Sequence, residues 1–154
     1  MFIAHSPLNE KVLSRLRGRL KTDELIASPD SVRDPYMSQG SHPDVVERVW
    51  RKLGQALPMD CRCLVYGTPA LVQPESGIIL AFCLGTQYCV RLTSSLMDEA
   101  LKLGVKTSTK WSGGATTDAT QAFGADWIFG SWKNEELQWC REVYEFYDQP
   151  VEMK

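Results

Sequence analysis

The chain has 154 residues, of which 44% are hydrophobic and 23% are charged. This composition is typical of one globular domain and excludes the collagen-like, coiled-coil and disordered classes. The 17 Lys and Arg residues nearly balance the 19 Asp and Glu residues, for a net charge of −2, which excludes the overall basic surface of a non-specific nucleic-acid binder.

We expect no signal peptide, because no basic stretch precedes the short apolar run at the start of the chain. No apolar run approaches the roughly 18 residues of a membrane-spanning helix. The odd number of cysteines, five, then predicts reduced thiols in a cytoplasmic protein. Zinc requires clustered ligands, and His5 and His42 lie far in sequence from every cysteine. We therefore expect buried thiols, with no metal, no cofactor and no membrane association.

The first predicted helix covers residues 9–21, where apolar residues recur on one arc. Residues 10–21 carry five basic side chains against one acid, whereas residues 135–154 carry six acids and two bases. Two solvated faces are the ordinary interpretation of this asymmetry. The functional alternative is phosphate contact by the first helix, and its candidate residues are Arg15 and Arg19.

Residues 22–42 look irregular, and a second helix is predicted to begin at Pro43 and to end before Pro58. One face of this helix is apolar, and polar residues, Arg48 among them, fill the other. Strands are predicted at 61–66, 70–73, 78–84 and 87–92, and the short turns between them indicate an antiparallel meander. A short helix over 96–103, a strand over 126–132 and a last helix from Asn134 complete the order.

Residues 105–125 are mostly small and polar. A structureless stretch of this length is uncommon inside a compact domain, so it contains either a hidden strand and helix or a functional loop. Trp111, next to Lys110, either pins this segment to the core or offers a stacking surface, and pinning is favoured.

These elements predict one α+β domain over residues 1–154, in which residues 1–42 form a helix and an irregular N-terminal extension. A mainly antiparallel sheet of about four to five strands is expected, with helices packed on one face.

Residues 50–148 resemble the MmcQ/YjbR-like family. The similarity is carried by Tyr-Gly-Thr-Pro-Ala at 66–70, a glycine-led strand at 77–82, a basic strand residue at Arg91, and Asp-Trp-Ile-Phe at 126–129. Residues 1–40 have no counterpart in the family, and the 105–125 segment is longer than the family's. The resemblance implies a small α+β fold. Because members have been likened to a double-wing DNA-binding fold, it also implies a nucleic-acid role as one alternative.

Catalytic motifs are missing: the sequence has no G-x-S-x-G, H-E-x-x-H, P-loop or G-x-G-x-x-G pattern. The paired acids at 98–99 and 135–136 sit at predicted helix N-termini, where the helix dipole already favours negative charge. The sequence therefore predicts a binding protein rather than an enzyme, and an enzyme of unknown reaction is the third hypothesis.

Arg91 is the side chain most indicative of a binding site. Its strand neighbours on the same face, Gln87 and Cys89, are short, so Arg91 is predicted on an uncovered sheet surface. There Trp127 or Trp132 would complete a concave polar and aromatic site, although an ordinary solvated arginine is an alternative.

The leading hypothesis is a non-enzymatic domain that binds a partner through its sheet face and the 105–125 segment. The partner is another protein or a small anionic ligand; nucleic acid is the alternative, and a homodimer is also left open. The candidate binding residues are Arg15, Arg19, Arg91, Lys110, Trp111, Trp127 and Trp132.

Overall fold

A six-stranded antiparallel sheet lies at the centre of the protein, in the order β1-β2-β3-β4-β5-β8. The computed structural model describes residues 7–17, 25–28 and 41–147. The strands, of which β6 and β7 form a separate hairpin, are β1 (Ile26–Ala27), β2 (Arg62–Val65), β3 (Thr68–Val72), β4 (Ile79–Leu84), β5 (Gln87–Arg91), β6 (Ser108–Lys110), β7 (Thr116–Asp118) and β8 (Trp127–Phe129).

The helices are α1 (Glu10–Arg17), α2 (Pro43–Glu47), α3 (Ser94–Lys102), α4 (Ala119–Ala122) and α5 (Glu135–Tyr147). Short 3-10 segments occupy Pro7–Asn9, Leu53–Ala56 and Met59–Cys61. The predicted α+β class with a mainly antiparallel sheet is confirmed, and the sheet has six strands rather than four to five.

Helices cover both faces of the sheet, not one. Residues of α2, α3 and α5 pack in one core, and residues of α1, together with Ala119 and Phe123 from the α4 region, pack in the other. The reason lies in β4, whose six residues are all buried. Its side chains divide between the two cores, so a single layer of helices would leave apolar groups of the central strand in water.

The predicted helix from Pro43 is regular for its first turn only. The side chain of His42 caps it by accepting a hydrogen bond from the Asp44 N–H, and Pro43 takes the first position. A π-helical turn follows at Arg48–Lys52, and a 3-10 turn ends the segment. Single π-helical turns inside helices are often found at functional sites. Arg48, which the sequence places on the polar face of this helix, is buried.

Residues 105–125 contain a hidden hairpin and helix, the first of the two predicted alternatives. The tip of the β6–β7 hairpin closes with hydrogen bonds from Trp111 N to Ala115 O at 2.7 Å and from Gly114 N to Trp111 O at 2.8 Å. Helix α4 follows directly, capped by the Asp118 carboxylate. This segment returns the chain to β8 at the edge of the sheet.

All five cysteines are buried thiols. Burial raises the pKa of Cys61, Cys63 and Cys140 to about 12. Among the described residues, no group of three or more His, Cys, Asp or Glu side chains is arranged to hold a metal ion. Within the same residues, none of the helices combines the length and the apolar character that a bilayer crossing requires.

Candidate functional site

A buried carboxylate anchors the most elaborate polar network among the described residues. Glu136, in the first turn of α5, has no exposed surface. Its carboxylate accepts hydrogen bonds from Arg48 Nη2 at 2.9 Å, from the Tyr88 hydroxyl, and from Ser131 N at 2.8 Å and Ser131 Oγ at 3.1 Å. A buried charge is tolerated when it is paired and hydrogen-bonded, and Glu136 meets both conditions.

Tyr88 and Arg48 complete this network. The Tyr88 hydroxyl accepts from Arg48 Nε at 3.1 Å and from Trp132 N at 2.9 Å, while Arg48 Nη2 also donates to Lys133 O at 2.6 Å. Burial, with the neighbouring Glu136, raises the pKa of Tyr88. Burial acts to lower the pKa of Arg48, but its hydrogen bonds to Glu136 and Tyr88 outweigh that effect and leave the pKa raised. The tyrosine is therefore neutral and the arginine charged at neutral pH.

The network holds Trp132 in an unusual backbone conformation. Its φ of 62° lies in the left-handed region, which bulky residues rarely adopt. The chain reaches this position by way of Gly130, where an added Cβ would lie 1.9 Å from Cζ of Tyr88, so only glycine fits. Strain of this kind persists where the surroundings fix it, and it clusters at functional sites.

The indole of Trp132 is presented to solvent over charged and aromatic groups. It meets the Tyr88 ring edge to face at a centroid distance of 5.3 Å, and Cζ of Arg48 lies 5.6 Å from its centroid. Even so, 48% of Trp132 remains exposed. A large apolar ring held rigidly and left half in water is a ready contact surface for a ligand.

A cavity of about 580 Å³ opens beside this indole; we call it the Trp132 pocket. Its volume lies within the range typical of small-molecule sites. A hydrogen bond from His42 N to Gly85 O at 3.0 Å ties the start of α2 to the β4–β5 turn and so joins two of its walls. The lining residues are His42, Asp44, Val45, Glu47, Arg48, Lys52, Thr86 and Trp132.

Arg91 does not lie on an uncovered sheet surface as predicted; it is 2% exposed. The segment before α1 covers it: Nη2 donates to Leu8 O at 3.1 Å and to Asn9 Oδ1 at 3.2 Å, and Nε donates to Ile79 O at 2.7 Å. Burial lowers the pKa of Arg91 to about 10, opposed by the nearby Tyr147 hydroxyl and Asp126 carboxylate. Sequence reasoning missed this cover because it assumed helices on one face only.

The predicted pairing of Arg91 with Trp127 is present, but inside the protein. The two residues are direct cross-strand partners on β5 and β8, and Cζ of Arg91 lies 4.7 Å from the Trp127 ring centroid. Trp127 has no exposed surface. Both residues line a second, smaller cavity of about 200 Å³, which we call the Arg91 cavity. Trp132 lies on the opposite face of the sheet and does not contact Arg91 or Trp127.

The remaining predicted residues are scattered. Trp111 is half-buried and pinned, since its ring packs on Phe129 at 6.2 Å and its Nε1 donates to Thr117 Oγ1 at 2.9 Å. Lys110 beside it and Arg15 on α1 are exposed. Arg19 lies outside the described residues.

Comparisons with known proteins found no matching family model, no matching curated protein and no matching solved structure. The resemblance to the MmcQ/YjbR-like family therefore stays a prediction.

Proposed function

We propose that the protein is a binding domain that takes a small ligand with a flat aromatic part in the Trp132 pocket. The observation that carries this proposal is the half-exposed indole of Trp132, whose backbone is held at a φ of 62° beside a buried ion pair. A rigid exposed aromatic ring gives contact area at low cost in conformational entropy. A preorganised site of this kind also loses little freedom when a ligand binds.

The charges at the pocket mouth favour a neutral or cationic ligand. Glu136 already neutralises Arg48 at 2.9 Å, so Asp44 and Glu47 remain as two acids against one further base, Lys52, among the described lining residues. The Nδ1 atom of His42 accepts from the Asp44 N–H at 3.1 Å, which leaves Nε2 as the donor nitrogen of the ring. The face of the indole also attracts cations.

Binding is favoured over catalysis by the arrangement of the polar groups. His42 and Thr86 both line the pocket, and a hydroxyl beside a histidine is the pair that nucleophilic catalysis uses. His42 Nδ1 is occupied as the helix cap, and no hydrogen bond joins His42 to Thr86 among the described residues.

The test is a ligand-observed NMR titration with three flat probes of different charge: benzamidine, benzamide and benzoate. We expect benzamidine and benzamide to bind more tightly than benzoate, and Trp132→Ala to abolish binding of all three. Met59→Ala is the matched control, because Met59 is 69% exposed and does not line the pocket. Equal binding by wild type and Trp132→Ala, or no binding of any probe to the wild type, would reject the proposal.

Nucleic-acid binding stays the second candidate, on the observation that Arg15 and Lys110 are exposed. Burial of Arg91 removes the residue that was expected to lead that surface. If phosphate contact occurs, affinity for labelled DNA or RNA falls steeply as the salt concentration rises. The double variant Arg15→Gln/Lys110→Gln should then show a weaker dependence of affinity on salt concentration. A homodimer also stays a prediction. Light scattering tests it by measuring the mass of the protein in solution.

A further inference from the structure

The Arg91 cavity contains two buried hydrogen-bond donor groups that the protein leaves incompletely matched. Arg91 lies within ion-pair distance of no described carboxylate, and its hydrogen bonds to Leu8, Asn9, Ile79 and the Tyr147 hydroxyl all go to neutral oxygens. The second donor is Nε1 of Trp127, which is buried and has no hydrogen-bond partner among the described residues. A buried donor without an acceptor is costly.

The cavity also has room beside the indole N–H. Gly124, with a φ of 137°, forms part of its wall, and an added Cβ there would lie 3.4 Å from Cδ1 and 3.9 Å from Nε1 of Trp127. The absence of a side chain at Gly124 keeps the N–H edge of the ring open. The guanidinium lies over the face of the same ring, so both donor groups border one space of about 200 Å³.

We propose that the Arg91 cavity binds a small carboxylate, which accepts hydrogen bonds from the Trp127 indole and the Arg91 guanidinium. A carboxylate offers several acceptor sites on two oxygens, and the guanidinium fork matches it well. This site lies on the opposite face of the sheet from the Trp132 pocket and is independent of it.

The charges at the rim limit the ligand to a single negative charge. Two acids, Glu10 and Asp126, line the cavity together with one lysine, Lys11, so a second negative charge on the ligand would meet two acids. The same two acids offer a place for an ammonium group. A bare monocarboxylate and a small amino acid therefore both present the carboxylate that the site would bind, and the experiment distinguishes between them.

The test is a titration of protein labelled with ¹⁵N-tryptophan, with acetate and glycine as probes against sodium chloride at constant ionic strength. The resonance of the Trp127 indole N–H is assigned with Trp127→Phe. We expect acetate to move this resonance downfield with saturation at a roughly millimolar Kd, the scale available to so small a ligand. The other four indole resonances should stay in place. Tighter binding of glycine than of acetate identifies an amino acid, and the reverse identifies a bare carboxylate.

Rim variants test the site without disturbing the core. Asp126→Asn should tighten acetate binding about threefold to tenfold, and Lys11→Gln should weaken it by a similar factor, as expected for one nearby charge. Lys102→Gln, an exposed lysine outside the cavity lining, is the matched control and should change nothing. Equal shifts with chloride would mean an adventitious ion only. That result, or shifts that do not saturate, or rim variants without effect, overturns the proposal.

Discussion

Two arginines are buried against opposite faces of the same sheet, each beside a tryptophan, and they differ in how their charge is balanced. Arg48 pairs with the buried Glu136 at 2.9 Å, and four donors converge on that carboxylate. Arg91 makes hydrogen bonds to neutral acceptors only and lies over the face of Trp127, with the Asp126 carboxylate nearby but outside ion-pair distance.

This difference shows where a ligand could bind at each site. The Arg48 network is satisfied internally, so its tryptophan is free to face outward and the ligand surface lies outside the network. The Arg91 site keeps a buried guanidinium outside any ion pair and an indole N–H without an acceptor among the described residues, so its ligand surface lies within. The same pair of residue types thus supports two different kinds of site.

Removal of Glu136 should have the largest effect. Glu136→Ala leaves Arg48 buried without its acid, and breaking one partner of a buried ion pair costs about 3–5 kcal/mol. Urea unfolding followed by circular dichroism measures this loss of unfolding free energy. The double variant Arg48→Met with Glu136→Leu should lose much less than the sum of the two single variants. A loss below about 1 kcal/mol for Glu136→Ala would show that the pair is not buried as described.

Arg91→Met should have a smaller effect. This change removes no partner of an ion pair. The loss comes from oxygens of Leu8, Asn9, Ile79 and Tyr147 that no longer have the guanidinium donor. We expect about 1–3 kcal/mol by the same unfolding measurement, less than for Glu136→Ala. A loss as large as that of Glu136→Ala would show that Arg91 has an acid partner after all, and would remove the contrast between the two sites.

Alkaline pH should change stability in opposite directions through the two sites. The folded-state pKa of Tyr88 is raised, so above about pH 10 the unfolded chain releases the phenol proton and the folded chain keeps it, and stability falls. The folded-state pKa of Arg91 is lowered to about 10, so above that pH the folded chain releases a proton that the unfolded chain keeps, and stability rises.

Each of these effects is at most about 1.4 kcal/mol per pH unit. Tyr88→Phe should therefore flatten the fall in stability between about pH 9 and pH 11, and Arg91→Met should steepen it. The buried thiols contribute the same fall to all three proteins, so the comparison of slopes isolates the two residues. Parallel slopes in wild type and both variants would contradict the prediction.

Periodicity predicted the sheet well, since β4 and β5 are set by apolar runs between tight turns. It did not predict the site. Arg48 and Glu136 are 88 residues apart, and each has an ordinary local reason for its position: a polar helix face for Arg48 and the first turn of a helix for Glu136. The π-helical turn at Arg48–Lys52 and the burial of Arg91 by Leu8 arise from tertiary packing, which no local pattern encodes. The sequence did indicate Trp127 as one of two candidate neighbours of Arg91, because Trp127 and Trp132 both lie on the predicted closing strand.

The smallest expected effect concerns the backbone of Trp132. At a φ of 62°, glycine is free of the steric cost that a Cβ imposes in the left-handed region. Both Trp132→Ala and Trp132→Gly lose the ring contacts with Tyr88 and Arg48, so their difference reports the backbone alone. Trp132→Gly should therefore be more stable than Trp132→Ala by about 1 kcal/mol.

The matched control for this comparison is Gln138, an exposed residue in the first half of α5. There the order should reverse, with alanine more stable than glycine by about 1 kcal/mol, because glycine is unfavourable inside a helix. Urea unfolding of the four variants gives both differences. If alanine is also the better residue at position 132, the backbone there is not strained. Backbone strain would then no longer support a ligand-binding role for Trp132. Only the shape and the charges of the Trp132 pocket would support it.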